Sequence, residues 1–364
     1  MSPIAVHETA AMPVKPATVP YSQTPETTAD LEWAELVNLD LSTFDQPGGK
    51  EALAKQLNFF YVSNFGLSQD EVDYQFSIGK RIFDLPLAEK VKYGADTKSF
   101  SYNGYTGPAV YEPDSTEYDP RHNIQSYNIP KFIPDFPGKE RHPPVVQENW
   151  ETIERFAKTV HKNVIERLLI IFAIVLELQD EQYFVKRHLY DVRGEDPVNA
   201  EAKKLYSTGH TDLGSITLLF KQPVAGLQVL NNDGRYRWVK AVPGTADTLS
   251  LLSGRYLKSS IHRVSVPPAD QKHLDRHGVL FFIRPNNDVL VEVVKDSPLL
   301  QKEGVYDTLE ERENPLTVGT WVNERQKHIF KNVYNITDAG QGKEGAERAE
   351  LEAEVAGIKI KYWN

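Results

Sequence analysis

The sequence predicts an α+β fold, with helices concentrated in the first half and an antiparallel β-sandwich or jelly roll after them. Long amphipathic periodicities occupy the first half, notably "QDEVDYQFSIGKRIFDL" and a stretch over residues 145–178. From about residue 207 the texture changes to short alternating runs, "SITLLF", "GLQVL", "RYRWVKAV", "SSIHRVSV" and "RHGVLFFIRP", separated by turn residues. No internal repeat divides the chain, and helices followed by runs of strands suit one mixed domain.

The elements follow in order. Residues 1–33, rich in Pro, Thr and Ala, read as a flexible arm without the basic start and apolar run of a signal peptide. Residues 34–180 form a helical and strand region. In it "ELVNLDLSTF" alternates as a first strand, "GGKEALAKQL" is helical and "FFYVSNF" is a strand. Ser68 and Glu71 make a capping box that opens the next helix. Residues 99–131, dense in Tyr, Gly, Asn and Pro, read as one long loop of the kind that carries function. The helix over 145–178 places Trp150, Ile153, Phe156, Val160 and Val164 on one face.

Residues 181–300 hold the strands, including a hairpin turned at Asn232-Asp233-Gly234 and runs at 259–266, 276–285 and 288–294. Residues 301–364 close the chain. They contain a helix at 317–332, a solvated helix in "GKEGAERAELEAEVAG" ended by Gly357, and a strand with Ile358, Ile360 and Tyr362 on one face.

The 364 residues carry a net charge of −10 with no concentration of Lys or Arg, which argues against a nucleic-acid surface. Without cysteine, disulfides, iron–sulfur clusters and zinc–thiolate sites are excluded. The longest apolar run, "LLIIFAIVL", is far too short to cross a bilayer. The expectation is a cytoplasmic protein with no nucleic-acid or membrane partner.

Chemistry concentrates in "STGHTDLGSITLLF". On a strand, residues i and i+2 share a face, so His210 and Asp212 would project together. The pair alone fits a capped strand start with a local hydrogen bond better than it fits a metal site. His262, in a later run, supplies a third candidate ligand. Two histidines and one carboxylate form the facial triad of non-haem Fe(II) sites, which leaves three positions open. Arg276 begins "RHGVLFFIRP", where Arg276, Gly278, Leu280 and Phe282 share one face. A guanidinium heading an apolar row is costly unless an anion meets it, and its planar fork suits a carboxylate.

"GHTDLGSITLLFKQPVAGLQVL", "DGRYRWVKAVPG", "YLKSSIHRVSVPPADQ" and "DRHGVLFFIRP" together resemble the Fe(II)/2-oxoglutarate-dependent oxygenases of the isopenicillin-N-synthase-like group, fungal members especially. "NFFYVSNFGLSQDEV", "IFDLPLAEKVKY", "NGYTGP", "YNIPKF" and "AGIKIKYWN" extend the resemblance over most of the chain. The resemblance implies a double-stranded β-helix (jelly roll) with flanking helices, and iron on His210, Asp212 and His262. It also implies 2-oxoglutarate anchored by Arg276, with O2 as the third reactant. The implied reaction hydroxylates or desaturates an unactivated C–H of a small organic molecule such as a secondary metabolite. Tyr102, Tyr105, Tyr111, Phe220 and Phe282 are the candidate substrate contacts. The alternatives are a same-fold oxidase that does not use 2-oxoglutarate, or an impaired jelly-roll paralogue that only binds.

Four departures from the group stand out. Arg276-His277-Gly278 replaces its Arg-x-Ser, which removes a hydroxyl contact. "GEDPVNAEAKKLYST" reads as helix or loop where a strand with a 2-oxoglutarate-holding Tyr is expected, leaving Tyr206 as a substitute. "GTADTL" lacks a Val-rich strand, and "KQLNFFYV" runs a helix straight into a strand. Losing a core strand would leave unpaired backbone groups and a gap.

Overall fold

The computed structural model describes residues 21, 23–57, 60–96, 101–107, 124–192, 198–203, 207–239, 244–305, 315–335 and 350–363. Most of the arm, Tyr111 and Tyr206 lie outside these residues.

The chain begins with β1 (Val37–Asp40), α1 (Gly49–Lys55), β2 (Phe60–Ser63), α2 (Gln69–Phe83) and α3 (Leu87–Val91). β1 and β2 pair in parallel. The Ser68 hydroxyl accepts from the Glu71 N–H while the Glu71 carboxylate accepts from the Ser68 N–H, completing the expected capping box. The segment expected to be one loop instead supplies two paired strands, β3 (Gly104–Thr106) and β4 (Ile124–Ile129). Short helix α4 (Pro144–Glu148) precedes α5 (Trp150–Val160), which runs through a π-helical turn at His161–Ile165 into α6 (Glu166–Val175). Ile153, Phe156, Val160 and Val164 line its buried face as their spacing predicts.

The strands of the second half are β5 (Val198–Lys203), β6 (Ser207–His210), β7 (Ile216–Leu219), β8 (Leu227–Leu230), β9 (Tyr236–Trp238), β10 (Gly244–Thr245), β11 (His262–Val264) and β12 (Arg276–Ile283). They build a six-stranded sheet in the order β10-β7-β12-β5-β4-β3 and a four-stranded sheet in the order β6-β11-β8-β9. Helix α7 (Asp247–Leu252) separates β10 from β11. β8 and β9 form the hairpin, where Gly234 adopts φ 76° and the Arg235 N–H donates to Asp233 Oδ1.

β12 separates the two sides of the larger sheet. Val279, Phe281 and Ile283 join the core packed on the helices, and His277 of that row meets Phe83 of α2. The alternate row of Arg276, Gly278, Leu280 and Phe282 faces the four-stranded sheet. Leu219 of β7 crosses the same space to pack on Leu227, Val229 and Val264. Two sheets face to face around an inner core form a jelly roll.

Three further expectations need correction. Residues 198–203 are a strand, paired with both β4 and β12, so the slot expected to be empty is filled. Residues 288–294 form no strand and meet Thr317 only through a bridge at Leu290. The tail expected as helix is instead β13 (Glu350–Val355), hairpinned to β14 (Ile358–Trp363) through Ala356 at φ 48° and Gly357 at φ 70°. After α8 (Pro298–Glu303) and α9 (Val318–Asn335), Val355 and Ile358 of this hairpin cluster with Trp321 and Val322 of α9.

Among the described residues, Gly244 and Thr245 of β10 pair with Thr217 and Ile216 of β7; residues 240–243, which precede them, lie outside the described residues. Farther along, a cavity of about 400 Å3 opens between β2 and β7, lined by Tyr61, Val62, Phe65, Val72, Leu218 and Phe220 among others. None of the described helices is long and apolar enough to cross a membrane.

Three histidines are buried among the helices and sheets. His188 donates from Nδ1 to the Phe184 carbonyl at 2.7 Å, so its neutral Nε2 accepts from the Ser215 hydroxyl at 2.8 Å. His142 Nδ1 lies 2.7 Å from the Tyr127 hydroxyl. Burial pushes His142 down to about 4, and His161 and His188 down to about 3. Their folded pKa values lie below the unfolded value, so the stability they carry is intact above about pH 6.5 and is lost as pH falls toward 4. Each extra proton taken up on unfolding costs about 1.4 kcal/mol per pH unit. Melting temperature should therefore fall steeply between pH 6.5 and 4.5, and His188→Gln should flatten that dependence. Calorimetry across this range checks it; an unchanged Tm would contradict it.

Candidate active site

The site is built on β6 and β11, neighbours in the four-stranded sheet. His210 and His262 stand opposite one another in the antiparallel register. Their rings lie 4.4 Å apart, centroid to centroid, at 53°. Directly opposed residues share a face, so both imidazoles enter the space between the sheets. Asp212 arrives differently from the sequence expectation. β6 ends at His210, and Asp212 lies just past it, in the turn before β7. Strand periodicity therefore does not aim its carboxylate; the turn does.

That turn is held by the start of α7. The Asp247 N–H donates to the Asp212 carbonyl and the Thr248 N–H to the Gly214 carbonyl, each at 2.8 Å. The Thr248 hydroxyl donates to the Leu213 carbonyl at 2.7 Å. Gly214 permits the approach to β12: a Cβ there would sit 2.5 Å from the Ile283 carbonyl oxygen.

Asp212 Oδ1 lies 3.8 Å from His210 Nε2 and 3.6 Å from His262 Nε2. One ligand atom from each of the three residues falls within 4.8 Å of the others. Adjacent ligands of an octahedral ion with bonds near 2.1 Å stand roughly 3 Å apart. Closing by under an ångström per ligand would admit an ion, so the donor set fits a divalent metal. His262 Nδ1 donates to the Ser260 carbonyl at 3.0 Å, which leaves Nε2 as its ligating nitrogen. The His210 side chain is 39% exposed against 18% for Asp212, so the cluster opens to solvent on the His210 side.

Arg276 is 4% exposed at the start of β12. Its stem passes over Gly226, where an added Cβ would lie 2.8 Å from Arg276 Cδ. Gly226 accepts from the Ser265 N–H, beside the strand that carries His262, so the guanidinium stem spans the two sheets.

The aromatic candidates are spread out. Phe282 lies on the inner row of β12 with Arg276. Phe220 packs on Phe65 and Phe156 and lines the cavity beside β2. Tyr105 is fully buried in the helix-packed core, where its hydroxyl donates to Gln125 at 2.8 Å and burial pushes it up to about 12. The Tyr102 carbonyl accepts from Asn128 at 2.6 Å. The 400 Å3 cavity is lined by none of the three candidate ligands nor by Arg276.

Asp247 escaped the sequence reading. Its carboxylate accepts from Ser259 Oγ at 2.9 Å and from the Thr211 side chain, and lies 3.9 Å from Arg325 of α9. Burial pushes this carboxyl above its ordinary range against those interactions. The available signal was its place in "GTADTL", at the start of the run that leads to His262.

Comparison with known proteins agrees with this arrangement. Residues 23–146 match the family described as non-haem dioxygenase in morphine synthesis N-terminal, and residues 181–285 match the 2OG-Fe(II) oxygenase superfamily. A 1-aminocyclopropane-1-carboxylate oxidase of Dictyostelium discoideum is 26% identical over 330 residues, covering 73% of this chain and 86% of that protein. A 2-oxoglutarate-dependent dioxygenase of Didymella fabae is 28% identical over 260 residues, covering 63% of this chain and 76% of its own length. Two solved structures share the fold. A Neurospora crassa protein in complex with alpha-KG has TM-score 0.64 and 22% identity, over 82% of this chain and 99% of that one. A 2OG-Fe(II) oxygenase family protein from Caulobacter crescentus has TM-score 0.66 and 18% identity, over 81% and 100%. With a jelly roll, a clustered His/Asp/His set and both family regions in sequence order, this chain belongs to the Fe(II)/2-oxoglutarate-dependent oxygenases, enzymes that use Fe(II), 2-oxoglutarate and O2.

Proposed function

We propose that His210, Asp212 and His262 hold the iron, that Arg276 grips the distal carboxylate of 2-oxoglutarate, and that the protein oxidises an unactivated C–H of a small, largely apolar molecule. The observation that carries this reading is the convergence of three ligand atoms within 4.8 Å from two separate β-segments. When bound, iron with 2-oxoglutarate and O2 supplies the oxidising power for hydroxylation or desaturation. The chain's own residues do the positioning. Ser260 holds the His262 tautomer, the α7 N-terminus holds the Asp212 turn, and Gly226 leaves room for the Arg276 stem. Leu280 and Phe282, on the inner row beyond Arg276, keep that wall dry, which strengthens the grip of a guanidinium on a carboxylate. Phe282 is the candidate substrate contact on this row; Tyr102, Tyr111 and Phe220 are proposed with less direct support. A relative named as a 1-aminocyclopropane-1-carboxylate oxidase favours a second reading, in which Arg276 holds a substrate carboxylate.

Incubation with Fe(II), 2-oxoglutarate and O2 separates the two. Stoichiometric succinate supports the first reading, and O2 consumption without succinate supports the second. Removing iron with a chelator should abolish turnover, and Asp212→Ala or His262→Ala should lower it by more than about 100-fold with the melting temperature nearly kept. Retained activity in both variants would refute the triad.

Arg276→Met and Gly226→Ala should act on the cosubstrate instead. A charge-assisted hydrogen bond is worth roughly 1.5–3 kcal/mol, so Arg276→Met should raise the KM for 2-oxoglutarate about 10- to 100-fold. Gly226→Ala crowds the same stem and should raise it less. An unchanged KM in both would move the anchor elsewhere.

A further inference from the structure

Asp247 is in contact with every piece of chain that presents the triad. Its backbone N–H donates to the carbonyl of Asp212. Its carboxylate accepts from Thr211, the residue between two ligands, and from Ser259, three residues before the third. Ser259 adjoins Ser260, whose carbonyl fixes the His262 ring. The second carboxylate oxygen faces Arg325 of α9 at 3.9 Å, where the Arg325 side chain is only 9% exposed. One acidic residue thus joins the Asp212 turn, the lead-in to β11 and a helix from the C-terminal part of the chain.

We propose that Asp247 is a positioning residue that sets the affinity and coordination geometry of the metal centre, with Arg325 as its charge partner. This deepens the reading above and rests on it. Three observations favour positioning over simple packing. The contacts of Asp247 are directional and go to both ligand-bearing segments. A carboxylate can accept from several donors at once, which an amide cannot reproduce. Burying a charge against an arginine is hard to justify energetically where an apolar side chain would pack as well. Groups one contact behind a metal ligand hold its orientation, and their loss commonly weakens binding 10- to 100-fold.

The test uses metal-free full-length protein and Co(II), whose visible bands report coordination geometry without turnover. The wild type should bind one Co(II). Asp247→Ala should weaken Co(II) binding about 10- to 100-fold and shift the bands. Asp247→Asn and Ser259→Ala should weaken it less, with metal-free melting temperatures close to wild type. Wild-type affinity and bands in these variants, with only a lower melting temperature, would reduce Asp247 to a structural role and overturn the proposal. Should Asp247→Ala fail to fold, the two milder variants decide by the same criteria. His210→Ala separates the layers: it should lose the bands while every Asp247 contact stays intact. A wild type that takes up no Co(II) would overturn the triad itself, and the role of Asp247 with it.

Discussion

The site depends on the register of a three-residue strand. β11 offers His262 to the interior only while it stays aligned with β6 on one side and β8 on the other. A slip of one residue would turn His262 to the outside and put Arg263 among the ligands. Three ladder positions are too few to prevent that alone. Side chains on both faces do the rest. Outside, Arg263 donates to Gln228 at 2.6 Å and lies 3.8 Å over the Tyr236 ring. Inside, Val264 packs against Leu227 and Val229. The irregularity between His262 and Val264 in the pairing with β6 loosens the ladder where the imidazole must adjust to a ligand.

The same interior accommodates buried charge. Arg276 sits on a row otherwise filled by Gly278, Leu280 and Phe282, and Asp247 sits behind the ligands. Neither placement is what folding stability alone would select, since desolvating a charge costs several kcal/mol even after relaxation. Proteins accept that cost where the charge meets something. Asp247 meets Thr211, Ser259 and Arg325, and for Arg276 the proposed partner is the cosubstrate carboxylate.

Much of this was legible in the residues because the signals were local. The Ser68–Glu71 capping box, the Asn232-Asp233-Gly234 turn and the helical spacing of Ile153, Phe156, Val160 and Val164 each fix a short stretch by its own chemistry. The clustering of His210, Asp212 and His262 was legible because few residue types can ligate a metal, and these three do converge. The failures are places where partners distant in sequence decide. "AERAELEAEV" is rich in helix formers, yet 350–355 pairs with β14 instead, as tertiary context overrides propensity. Residues 198–203 look helical for the same reason and become a strand because β4 and β12 flank them. Tyr105 reads as a loop aromatic; only the pairing of β3 with β4 shows it to be core.

The cavity and the candidate site are separable on physical grounds. Among the described residues β10 pairs with Ile216 and Thr217 of β7, and the cavity follows along Leu218 to Lys221, toward β2. The ligands stand at the other end of this strand: Asp212 and Leu219 are seven positions apart, up to roughly 23 Å of extended chain. A cavity there bears on stability, through the packing its lining forgoes. What holds the ligands is different: the β6–β11 register, the α7 N-terminus and the inner row of β12. β7 stays anchored on its other side, where Ile216 to Leu219 pair with Ile283 to Leu280. The cavity lies along the far end of β7, away from the elements that hold the candidate ligands.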